Sequence, residues 1–127
     1  MTDEELFNKY PKLLRQYKLK PNETCLCWGL IPGPGWTNIV ADMCKELDAY
    51  REKRASNLEL TQIKEKFGEL RVYSDGGDDM VDNIIRKYEV LSRITCMGCG
   101  NPGMMRKTGW MRCHCDICED KYLKREK

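Results

Sequence analysis

The chain of 127 residues has one histidine, His114. It has no hydrolase triad pattern, no Gly-x-x-x-x-Gly-Lys-Ser/Thr phosphate loop and no Gly-x-Gly-x-x-Gly dinucleotide fingerprint. An open hydrolytic zinc site would also need a Glu base set beside it, and no motif supplies one. The chain therefore reads as non-enzymatic. No apolar run approaches the ~20 residues needed to span a bilayer. The start, Met1-Thr2-Asp3-Glu4-Glu5, is acidic and lacks the apolar stretch of a secretory signal. The expected location is the cytoplasm. Net charge is only +2, so the chain is no bulk polycation. Its positive excess is confined to residues 1–20 and 95–127, and residues 21–94 are net negative. That distribution gives mild encouragement for a phosphate-bearing partner, although plain solvated surface accounts for the charge equally simply.

Cysteine, by contrast, is plentiful: eight residues in a chain with no secretory signal. A reducing compartment makes metal ligation the better reading than disulfides. Cys96-Met97-Gly98-Cys99 and Cys115-Asp116-Ile117-Cys118 are two Cys-x-x-Cys pairs at the spacing of a zinc ribbon. Four thiolates suit tetrahedral zinc and leave no position for water, so the expected cofactor is one structural Zn2+. Cys25 and Cys27, with Cys44, Cys113 or His114, could complete a second site. The alternative is that they are small buried side chains. His114 itself could replace a cysteine ligand or stand just outside the ligand set.

A Thr2/Glu5 capping box predicts a helix from about Asp3 to Tyr17, which Pro11 would kink or split. Residues 21–36 are irregular, with Pro32-Gly33-Pro34-Gly35 between Trp28 and Trp36. Trp36 is a candidate partner contact; the alternative is that both tryptophans pack down to anchor the loop. A second helix is expected from residue 37 or 38 to about Arg54. Strands over 58–66 and 70–74 follow, joined through Phe67-Gly68-Glu69, with Lys64, Lys66 and Arg71 read as solvated decoration. A third helix, about Asp79 to Arg93, would bury Val81, Ile84, Ile85, Tyr88 and Leu91. It runs straight into Thr95-Cys96 without a linker. The ribbon, residues 95–127 with its basic tail, should therefore dock on the body, residues 1–94, as one unit. Within it, Met104–Lys107 and Trp110–Cys113 should pair as short strands. Arg106, Lys107, Trp110 and Arg112 would then share one surface, suited to nucleic acid or to a protein. The expected fold is α+β: three helices, a small antiparallel hairpin and a docked C-terminal zinc ribbon with four cysteine ligands.

Three stretches together resemble a family. They are Cys25-Leu26-Cys27-Trp28-Gly29 with Gly35-Trp36, then Lys64-Glu65-Lys66-Phe67-Gly68-Glu69-Leu70-Arg71-Val72-Tyr73, then Thr95-Cys96-Met97-Gly98-Cys99-Gly100-Asn101-Pro102-Gly103 with Gly109-Trp110. The combination is similar to small bacteriophage and prophage zinc-ribbon proteins of no settled activity, over about residues 5–118. Cys113-His114 departs from that pattern. The resemblance implies a mobile-element setting inside a bacterial cell. There a protein without catalytic motifs would act as an inhibitor or adaptor on a host or defence protein or ribonucleoprotein, an anti-CRISPR-type role being one example. The alternative is a nucleic-acid-binding zinc ribbon in phage transcription or replication. Salt-dependent binding to bare nucleic acid would separate the two.

Overall fold

The computed structural model describes residues 1–125. The last two residues of the basic tail, Glu126 and Lys127, lie outside the described residues. The architecture is α+β, with four α-helices and two two-stranded antiparallel sheets among the described residues, and a cysteine cluster toward the C-terminus.

Helix α1 spans Asp3–Lys9, and its Thr2/Glu5 capping box is formed. It ends well before Tyr17, because Pro11 supplies no amide to the helical ladder. The chain continues through turns and a 3-10 segment at Arg15–Lys18. The apolar stripe survives the break, since Leu6, Tyr10, Leu13 and Leu14 are all buried. Helix α2 (Thr37–Arg54) buries Ile39, Val40, Met43, Cys44 and Leu47. Strands β1 (Glu59–Lys66) and β2 (Glu69–Asp75) pair antiparallel, with Lys66 opposite Glu69. The turn between them has φ 55° at Phe67 and 81° at Gly68. Two positive φ values match the twist of a tight hairpin, but a phenylalanine there carries strain that glycine or asparagine would avoid.

Helix α3 (Asp79–Ser92), capped by Asp78, lays Val81, Ile84 and Ile85 on the core. Leu91 is exposed, as are Val90 and Ile94, so the expected stripe stops one turn early. The helix also lies along β2. Ser92 Oγ accepts the Leu70 N–H at 2.9 Å, and Glu89 Oε2 accepts the Val72 N–H at 3.0 Å. Glu69, placed by the sequence in the connection between the strands, is buried. Arg93 (2.8 Å), Arg71 (3.0 Å) and Arg86 (3.7 Å) surround its carboxylate.

The ribbon carries β3 (Met104–Arg106) and β4 (Arg112–His114), both shorter than expected because Trp110 lies in the bend between them. The C-terminal segment, expected from Lys121 onward as a short basic helix or a frayed tail, is helical from further back, as a fourth helix α4 (Asp116–Arg125). Asp116 and Glu119 in its first turn and Lys124 and Arg125 in its last complement the helix dipole. No helix among the described residues is long and apolar enough to cross a membrane.

Candidate metal centre

The two Cys-x-x-Cys pairs are brought together from opposite ends of the ribbon. The first lies in the turn after α3, and the second begins just after β4 and ends in the first turn of α4. The sulfurs of Cys96, Cys99, Cys115 and Cys118 lie within 4.8 Å of one another. Cys99 and Cys115 are 3.6 Å apart. Four sulfurs at about 2.3 Å from a tetrahedral ion would be spaced by about 3.8 Å, so the donor set fits a metal with little adjustment. No other ligand cluster of this kind occurs among the described residues.

Backbone groups prepare the site for charge. The Cys118 N–H reaches Cys115 Sγ at 3.4 Å. Burial opposes ionisation of Cys96, yet backbone hydrogen bonds from Cys115, Cys99 and Gly98 bring its thiol down to about 6. Burial, and then hydrogen bonds with the other three thiols, push Cys118 up to about 12. A metal ion bound by these thiols would displace their protons.

The first knuckle rests on the Pro-Gly loop. The Gly35 N–H donates to Met97 O at 2.8 Å, and the Trp36 indole N–H donates to Thr95 O at 2.9 Å. A Cβ on Gly35 would lie 2.5 Å from Gly100 N, 2.8 Å from Cys99 N and closer still to Cys96 O. Only glycine allows this approach. On the other side, Gly68 at the hairpin tip abuts Met105 and the backbone of Arg112. The Cys113 thiol donates to Arg93 O at 3.2 Å, and burial pushes it up to about 11. Cys113 is therefore a packing residue.

Several expected roles are corrected by burial. Trp36 is fully buried, which removes it from partner contact and makes it the anchor of the loop. Trp28 does the opposite and is 76% exposed. Arg112 is 1% exposed and ion-paired with Glu119, so it is an internal strut and not a contact residue. Its Nη1 donates to the carbonyls of Thr108 and Trp110, both at 2.7 Å, and so fixes the bend that carries Trp110. Arg106 is partly buried and held by His114 O (3.0 Å) and Asp116 (2.9 Å). Of the four expected contact residues on the ribbon, Lys107 and Trp110 remain exposed. Cys25, Cys27 and Cys44 form no ligand cluster among the described residues. Cys25 is exposed, while Cys44 lies in the core, where burial raises its thiol to about 12. His114 stands outside the thiol set, with Nδ1 3.0 Å from Glu119 Oε1. The Arg112–Glu119 strut was not expected; its partners belong to two elements, and only a correct reading of α4 brings them together. The chain matches no protein-family model, no curated protein and no solved structure in comparison with each, so its function is argued from this geometry.

Proposed function

We propose that the chain is a non-enzymatic binding protein, locked by one structural zinc ion, that acts in the bacterial cytoplasm as a phage inhibitor or adaptor on a host or defence protein. Zinc is the natural occupant of four thiolates in a tetrahedral set, and such a site keeps no open position for a reacting water. The observation that carries the binding role is the C-terminal turn of α3. Val90, Leu91 and Ile94 cluster within one helical turn, and Ile94 is 63% exposed. The Gly103 N–H donates to Ile94 O at 2.9 Å, which brings the exposed Met104 close to them. Exposed apolar side chains grouped along this stretch favour a protein partner over bare nucleic acid. The burial of Arg112 and the tethering of Arg106 point the same way, since they subtract cations from the ribbon surface.

The test is affinity capture from host lysate, with and without nuclease, comparing wild type with Ile94→Asp. A protein that survives nuclease and is lost with Ile94→Asp is the expected result. Loss of every partner on nuclease treatment, or capture unchanged by Ile94→Asp, would refute the reading. Elemental analysis of the same sample should give about one zinc per chain.

A further inference from the structure

A second surface, on the ribbon beside the cysteine cluster, has a different chemistry. A cleft of about 390 Å3 is lined by Met97, Trp110, His114, Lys121, Tyr122 and Arg125, among others, and no carboxylate lines it. That volume is within the range of small-ligand sites. Lys121, Tyr122 and Arg125 project together because they stand one turn apart on α4, one turn beyond the ligand Cys118. Lys121 and Arg125 make no ion pair among the described residues; the acids of α4 are engaged elsewhere, Asp116 by Arg106, Glu119 by Arg112 and Asp120 by Lys124. The Arg112 guanidinium covers one face of Tyr122, 4.1 Å from the ring centroid. Trp110, tilted 45° to Tyr122 at 6.3 Å, is 53% exposed beside the cleft. Its bend is held by Arg112, so the platform is preorganised.

We infer that this cleft binds a nucleotide unit, with a base stacked on Trp110 and phosphate oxygens paired with Lys121 and Arg125. An aromatic ring beside two cations that make no ion pair among the described residues is the pattern that recognises a base and its phosphate. The site is independent of the apolar patch on α3. It also differs from the hairpin surface expected from the sequence, since Arg106 and Arg112 are engaged internally. The unit is either a free nucleotide or part of a single strand, and both present the same chemistry.

The test uses the full metal-loaded chain, with fluorescein-labelled dT10 and U10 followed by anisotropy, and AMP followed by tryptophan fluorescence. Oligonucleotide binding should weaken about sevenfold between roughly 50 and 200 mM salt, as two phosphate contacts on a single strand require. Trp110→Ala should weaken binding by about 5–150-fold, the range for loss of one stacked base, and Trp110→Phe should restore part of it. Lys121→Gln with Arg125→Gln should flatten the salt dependence, and this pair serves even if Trp110→Ala fails to fold. Binding to the oligonucleotides alone assigns the site to a single strand, and equal saturation by AMP assigns it to free nucleotide. No salt-sensitive binding to any of the three probes, or wild-type affinity in both variants, would overturn the inference in favour of a protein contact.

Discussion

Gly35→Ala is the most economical test of how the ribbon is joined to the body. The added methyl would meet Gly100 N at 2.5 Å and Cys99 N at 2.8 Å, with Cys96 O nearer. All three are backbone atoms, so no rotamer change relieves the clash. The loop must withdraw from the knuckle, and it then loses the bonds from Gly35 N–H to Met97 O and from the Trp36 indole to Thr95 O. Overpacking costs about 1–3 kcal/mol, and two hydrogen bonds contribute about 0.5–1.5 kcal/mol each. The sum is about 2–6 kcal/mol. For a domain of this size, roughly 4 kcal/mol lowers Tm by about 10–20 °C. Thermal unfolding by circular dichroism on metal-loaded protein reads it directly. A Tm within about 2 °C of wild type would show that the loop and the knuckle are not coupled, and the docking argument would fail.

Cys96→Ser or Cys118→Ser should abolish stoichiometric metal binding and destabilise the whole chain; full zinc content with wild-type melting would disprove the ligand set. Glu119→Gln removes the carboxylate that is ion-paired with buried Arg112, at a cost of about 3–5 kcal/mol. Arg112→Met with Glu119→Gln should recover part of that, and chemical denaturation measures both. Trp36→Phe deprives Thr95 O of its donor and should cost about 1–3 kcal/mol; an unchanged denaturation midpoint would contradict its anchoring role. For Glu46, hydrogen bonds from Lys87 and Tyr88 hold the carboxyl below its ordinary value. A depressed carboxylate stabilises the folded state above the unfolded value of about 4.3 and loses that contribution as pH falls through the folded value. The deficit of Glu46→Gln relative to wild type should thus be present near neutral pH, stay under about 1 kcal/mol for so exposed a pair, and close on acidification.

What the chain disclosed in advance was local. The four clustered cysteines are marked by short spacing, because each pair needs only one tight turn to converge. The Thr2/Glu5 cap, the Pro11 break and the hairpin turn at Phe67-Gly68 are likewise decided within a few residues. What stayed hidden depends on distant partners. Arg112 looks like surface charge until Glu119, on another element, closes over it. Glu69 stands in a run of mixed charges, and only the packing of α3 brings Arg86 and Arg93 to it. Trp28 and Trp36 flank the same loop, yet one is exposed and the other buried, because the knuckle covers just one side. The helical reach of α4 was obscured by its low apolar content, and with it the row of Lys121, Tyr122 and Arg125.

The way α3 lies along β2 also constrains how any partner can attach. Capture by strand addition requires a row of vacant amides on an outer strand. Two amides on the outer edge of β2, at Leu70 and Val72, already donate to Ser92 and Glu89. A peptide cannot zip onto that edge without first prising the helix away. The same closure hinders that edge of the hairpin from pairing with another copy, which is the usual hazard of so small a sheet. If the proposed partner docks on this flank, recognition would fall to side chains such as Val90, Leu91 and Ile94, which are exposed, with main-chain pairing excluded at those two positions.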